Sequence, residues 1–312
     1  MAKYRQYLPQ LDGSMFLSDG GMETTLIFHE GIELPQFAAF VLMADADGRE
    51  HLRNYYRRYL DVARKNGTGF ILDTPTWRAN ADWGAKLGYG PADLAAINQR
   101  AVEMLVGLRQ EYETAKTPCV ICGAIGPRGD GYKAGNMNTA EAEAYHAAQI
   151  AAFEESEADM VAAYTLTNYN EAIGVARAAE ASAMPCVISF TVETDGRLVT
   201  GLSLGEAIER VDDATGGSPR YYMINCAHPT HFAQALERGE SWTGRIGGVR
   251  ANASTKSHAE LDDSTTLDAG DPLDLGRRYR TLTRSFPGIH VLGGCCGTDH
   301  RHIAAICKAC AA

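Results

Sequence analysis

Two stretches of this chain bring thiols to places where chemistry can be done. "YYMINCAHP" closes an apolar run on Cys226, and "HVLGGCCGTDH" sets Cys295 and Cys296 side by side between glycines. Neighbouring side chains on a regular strand point to opposite faces, so two adjacent thiols serve one centre only where the backbone turns, and glycines permit that turn. Three thiolates with a fourth position open form the ligand set of a catalytic zinc, whereas a structural zinc is closed by a fourth residue. A zinc held by three thiolates is electron-rich and a weak source of hydroxide. Its open position suits a substrate thiol, held there as thiolate at neutral pH. Alkylation of that sulfur is the leading chemistry, ahead of metal-assisted hydrolysis, and the zinc-activated substrate thiol is the only catalytic nucleophile it needs. The plain alternative is three packing cysteines.

The remaining cysteines are read as small core or surface residues. Cys119 and Cys122 form C-x2-C, as do Cys307 and Cys310, a spacing that also occurs in zinc ribbons. The first pair lies in an apolar β run, where residues three apart face opposite sides, and the second lies in a helical terminus; Cys186 sits in a further apolar run. His228 and His231, in "CAHPTH", are alternative metal ligands, but a helix starting near Pro229 carries them away from the strand end.

The elements that must position these groups recur as short β-rich runs separated by amphipathic helical stretches, the pattern of a parallel sheet built from βα units. Eight runs are visible: "SMFLSDGG", "TGFILDTPT", "PCVICGAIGP", "DMVAAYTLT", "PCVISFTVE", "RYYMINCAHP", "RIGGVRANAS" and "IHVLGGCCGT". Eight closes an α/β (β/α)8 TIM barrel, here read as one domain over residues 1–312. Leu52, Tyr56, Tyr59, Leu60 and Ala63 recur at helical spacing within 49–66, as do Leu94, Ile97, Ala101, Leu105 and Leu108 within 93–111. Thr298 is the expected cap of a last helix that Ile303 and Ile306 seat on the barrel. In such a barrel the chemistry sits where strands end, so Cys226 after the sixth strand and Cys295 and Cys296 after the eighth converge on one rim. The long polar segment 251–274 is read as a lid or substrate loop or as an exposed excursion, and 27–47 as a second flap.

The chain has 312 residues, 45% hydrophobic and 22% charged, with a formal net charge of -10. That charge argues against nucleic acid, whose phosphates need a basic stripe. No apolar stretch reaches the roughly 20 residues of a membrane span, and the first residues lack the apolar run of a signal peptide. The expectation is a cytoplasmic protein acting on small molecules, with self-association into a homo-oligomer left open.

The stretches "LSDGGMETTL", "INCAHP", "VRANAS" and "GGCCGTDHRHIAAI" together resemble the homocysteine S-methyltransferase family, zinc-dependent barrels that include betaine, S-methylmethionine and cobalamin-dependent enzymes. The resemblance implies methyl transfer to a thiol such as L-homocysteine, giving methionine, with Zn2+ on Cys226, Cys295 and Cys296. It places Asp19 at the homocysteine end of the pocket and lets the backbone at Gly20 and Gly21 approach that substrate. Asn225 and Asn252, beside strand ends, serve either the substrate or the ligating loops, and Glu23 either the substrate amine or the first helical turn.

The match breaks after the fourth strand, where the family carries a glutamate that helps hold the homocysteine ammonium and this chain carries Tyr164. Glu193, in "FTVETDG", is one replacement acid; a thiol other than homocysteine is the other resolution. Tyr164 and Trp77, with Trp83 and Tyr169 behind them, are candidate aromatic faces for a cationic methyl donor, and Arg78 for a donor carboxylate. Because the sequence ends with the barrel's last helix, a freely diffusing methyl-onium donor is expected, with S-methylmethionine or a related sulfonium ahead of betaine. The rival readings are a zinc hydrolase using Glu193 as base and a thiol redox or zinc-storage protein relying on the C-x2-C pairs.

Overall fold

The computed structural model describes residues 1–236 and 240–311. Eight parallel strands follow one another round a closed barrel: β1 (Phe16–Leu17), β2 (Gly69–Asp73), β3 (Cys119–Ile125), β4 (Met160–Leu166), β5 (Cys186–Phe190), β6 (Tyr221–Asn225), β7 (Ile246–Ala251) and β8 (Val291–Gly294). β1 closes the ring by pairing Phe16 with Val291 and Leu17 with Leu292. Every expected β run contains one of these strands.

The strands are apolar on both faces because both are covered, as a parallel sheet demands. Phe16, Ile71, Val120, Cys122, Ala124, Met160, Ala162, Val187, Met223 and Val291 fill the barrel interior. Alternate residues such as Cys119, Ile121, Val161, Ile188, Ile224 and Leu292 pack outward in the shared core with the surrounding helices. Cys119 and Cys122 therefore do face opposite sides of β3. The chain ahead of β1 packs Leu8 against the interior cluster, and Tyr4 N donates to the Asp159 carboxylate at 2.7 Å.

The two helices read from periodicity run slightly longer than expected, Ala46–Asn66 and Pro91–Tyr112, with all ten marked apolar positions buried. Asp45 caps the first, its side chain accepting from Gly48 N. The last helix, His300–Cys310, corrects the expected cap: Asp299, not Thr298, is the N-cap, accepting from Arg301 N. Thr298 is engaged elsewhere, donating to the Cys295 carbonyl at 2.7 Å, while Gly21 N donates to its Oγ1 at 3.2 Å. Between β6 and β7 the connection holds only the short helix Pro229–Phe232 and a 3-10 turn at Ser241–Arg245 among the described residues.

Candidate metal centre and acceptor cleft

Cys226 immediately follows β6 and adopts a left-handed conformation, φ 54°. Backbone strain of this kind persists only where the surroundings impose it. Two imposing contacts are present: Asn252 Nδ2 donates to the Cys226 carbonyl at 2.9 Å, and Cys226 N donates to the Arg250 carbonyl at 3.0 Å. Asn225 is committed to a second left-handed residue, Thr165, at φ 62° in β4. Thr165 N donates to Asn225 Oδ1 and Asn225 Nδ2 donates to Thr165 Oγ1, both at 2.9 Å. Both asparagines thus position the rim backbone.

Cys295 and Cys296 leave β8 in a turn closed by Gly297 at φ 79°. A side chain on Gly21 would meet the Cys295 carbonyl at 2.6 Å, so what requires glycine there is close packing against the cysteine turn. The sulfurs of Cys226, Cys295 and Cys296 lie within 4.8 Å of one another. Cys226 and Cys295 are joined as a disulfide, with Cα atoms 5.3 Å apart, inside the span that permits such a bond, and Cys296 is free. The structure thus differs from the expectation of three free thiolates: two of the three are paired with each other.

His228 and His231 do not join it: His228 Nδ1 pairs with Thr230 Oγ1 at 2.7 Å, and His231 Nε2 pairs with the Thr255 carbonyl at 2.8 Å.

The three cysteines line one end of a cleft with about 680 Å³ of empty space, open to solvent. Asp19, Gly20, Gly21, Glu23, Trp77, Tyr164 and Asn225, all expected at the site, line the same cleft. Glu193 does not, and its backbone N instead closes a turn onto the Arg197 carbonyl at 2.8 Å. Arg78 and Asn252 line an adjoining outer cavity, which shares Trp77, Phe37, Tyr132 and Cys296 with the cleft. Segment 251–274 and the flap after β1 both contribute to its wall, through Asp262 and Leu267 and through Phe28 and Phe37. Arg78 stacks 3.8 Å from the Trp83 ring and 5.0 Å from Trp77.

Sequence reasoning missed the charged floor of the cleft. Arg250, buried at the end of β7, pairs with both Asp19 and Asp73, and its Nε donates to the Gly294 carbonyl at 3.1 Å. Tyr164 donates its hydroxyl to Asp73 Oδ1 at 2.9 Å, and Tyr55 donates to Asp19 Oδ2 at 2.9 Å. Burial pushes Asp19 up to about 6; Arg250 opposes that shift and Asp73 adds to it. Burial also pushes Glu23 up to about 7 and the Cys296 thiol up to about 11, the latter helped by Glu23. Burial alone would lower the pKa of Arg250, but Asp19 and Asp73 outweigh it and hold the pKa raised, keeping the guanidinium charged. A charge inside the apolar run "IGGVRA", at the strand end where barrel chemistry collects, was the signal available in the sequence.

The sequence profile of one family, described as homocysteine S-methyltransferase, matches residues 16–310. This chain belongs to the homocysteine S-methyltransferase family. It is accordingly a methyltransferase. Solved structures of the homocysteine methyltransferase MmuM from Escherichia coli share the barrel at 22% identity. The oxidised form covers 94% of this chain and 95% of that one with a TM-score of 0.73. The metallated form covers 95% and 96% with a TM-score of 0.72, and the apo form covers the same shares with 0.65. No curated protein sequence matches. Among the described residues, no helix is long and apolar enough to cross a membrane.

Proposed function

We propose that the reduced enzyme holds Zn2+ on Cys226, Cys295 and Cys296 and moves a methyl group from a small methyl-onium donor to the thiol of L-homocysteine, giving methionine. The observation that carries this reading is the convergence of three sulfurs within 4.8 Å at one end of a walled cleft. Zn–S bonds of about 2.3 Å in tetrahedral geometry set sulfurs roughly 3.8 Å apart, so the cluster fits the ion once the Cys226–Cys295 bond is reduced. A reducing compartment such as the cytoplasm suits that requirement.

Zinc bound there supplies the charge that keeps an acceptor sulfur ionised at neutral pH. The chain does the rest by position. The cleft wall aligns the acceptor sulfur with the donor methyl carbon. The new S–C bond forms with the acceptor's electron pair, and the donor's bond to its methyl group breaks with the pair staying on the donor heteroatom. A sulfonium leaves as a neutral thioether and a quaternary ammonium as a neutral amine, so no proton donor is needed.

The outer cavity suits the donor. Trp77, Phe37 and Tyr132 put aromatic rings on its wall, the kind of group that attracts a cation, and Asp130 and Asp262 add negative charge. Arg78 Nε has no hydrogen-bond partner among the described residues and fits a donor carboxylate. These features favour S-methylmethionine or a related amino-acid sulfonium, with betaine behind it. The hydrolase reading named Glu193 as its base, and Glu193 does not line the cleft.

The test is methionine formation, by mass spectrometry, from L-homocysteine and either S-methylmethionine or betaine, using reduced zinc-loaded protein. Methionine from at least one donor, lost on zinc removal or in Cys296→Ser, supports the reading. Equal rates with and without metal would overturn it.

A further inference from the structure

The floor of the cleft raises a question of charge. An amino-acid thiol carries an ammonium, and Tyr164 offers it no negative charge. The acid proposed to replace that charge, Glu193, is not at the cleft, whereas Asp73 is, in direct contact with Tyr164.

Two features make Asp73 and Tyr164 an ammonium-accepting unit. First, the only hydroxyl proton of Tyr164 is committed to Asp73 Oδ1, so what the phenol oxygen retains is acceptor capacity. Second, Arg250 binds Asp73 and Asp19 together, so two carboxylates and one guanidinium leave the floor with one net negative charge. One incoming ammonium cancels that charge. Without Arg250 the two acids would repel, and without Asp73 the floor would be neutral and would reject a cation. Each Asp73 oxygen holds one of these donors, and a carboxylate oxygen can accept more than one hydrogen bond. Tyr56 fixes the backbone beneath, its hydroxyl donating to the Asp73 carbonyl at 2.5 Å.

We propose that Asp73, held by Arg250 and acting together with the Tyr164 hydroxyl, is the specificity-determining acid that selects acceptor thiols bearing an ammonium group. The inference rests on the proposed metal-held acceptor thiol at the Cys226, Cys295 and Cys296 end of the same cleft. It names the acid that makes a thiol amino acid acceptable there despite the tyrosine.

Calorimetric titration of reduced, zinc-loaded, full-length protein with L-homocysteine and with 4-sulfanylbutanoate, the same molecule without its ammonium, tests this. A charge-assisted hydrogen bond contributes enough for roughly tenfold or greater discrimination. The wild type is therefore expected to bind homocysteine at least about tenfold more tightly, and Asp73→Asn to bring the two affinities within about threefold, chiefly by weakening homocysteine. Should Asp73→Asn fail to fold, Tyr164→Phe decides, since it leaves the Asp73–Arg250 pair intact; it is expected to cut the discrimination by about threefold or more.

Zinc-dependent binding of both thiols with equal affinity would overturn the inference and leave the metal-thiolate reading standing. An equal loss for both thiols in Asp73→Asn, or unchanged discrimination in Tyr164→Phe, would do the same by showing a merely structural role. If neither thiol binds to protein that demonstrably retains its zinc, the metal-thiolate reading fails and takes the inference with it.

Discussion

Replacing Arg250 with methionine removes the one cation shared by two buried carboxylates. The guanidinium holds Asp19 and Asp73 and donates to the Gly294 carbonyl, so the substitution leaves two like charges at one floor, with the Tyr55 and Tyr164 hydroxyls still donating to them. Breaking a buried pair by removing one partner costs about 3–5 kcal/mol, a large share of the roughly 5–15 kcal/mol that holds a folded protein together. At about 2 °C per kcal/mol for a chain of this size, the thermal midpoint should fall by about 6–10 °C at pH 8. The loss must also depend on pH. A carboxyl whose pKa is higher folded than unfolded makes the folded state the better proton binder, so stability falls as pH rises through that interval. Asp19 already spans 3.8 to about 6 with Arg250 present, and removing the cation extends the interval upward. At pH 5 protonation relieves the repulsion, and the deficit there should be markedly smaller than at pH 8. Scanning calorimetry of reduced, metal-free wild type and Arg250→Met at both values checks this. A midpoint drop below about 2 °C at pH 8, or the same drop at both pH values, would refute the reasoning.

Other outcomes follow from the same geometry. Glu23 is raised from 4.5 to about 7, chiefly by burial, so its ionisation costs stability as pH climbs through that window. Glu23→Gln should therefore raise the stability of metal-free protein by about 1–3 kcal/mol at pH 8 and leave pH 4 unchanged, and no gain at pH 8 would contradict the assignment. Cys119→Ser and Cys307→Ser should retain full metal content after dialysis while Cys295→Ser and Cys296→Ser lose it; the reverse pattern would move the metal to the C-x2-C pairs. Trp77→Ala should raise the donor's apparent KM by about 2- to 30-fold while changing homocysteine affinity little, as a lost cation–π face predicts.

The barrel was legible because its strands are buried on both faces and read as uninterrupted apolar runs, each ended by turn residues. The cysteines were legible because barrel chemistry collects at strand ends, and Cys226, Cys295 and Cys296 all stand immediately beyond one. What the periodicity could not carry is pairing across the ring. Arg250 and Asp73 are 177 positions apart, and nothing local in "VRANAS" or "ILDTPT" says that one neutralises the other. The same blindness made Glu193 attractive, since acids after strands look alike until the barrel decides which of them face the cleft. Thr298 differs from expectation for a related reason: it is a sound cap by type, but the cysteine turn claims its hydroxyl, leaving the cap to Asp299.

The central claim, that three cysteines hold a metal whose open position takes the acceptor's sulfur, is met most directly by X-ray absorption at the zinc edge of the reduced, zinc-loaded protein. The account predicts three sulfur neighbours at about 2.3 Å, rising to four when L-homocysteine is added. A sulfur count that homocysteine leaves unchanged, or one that starts below three, would contradict it.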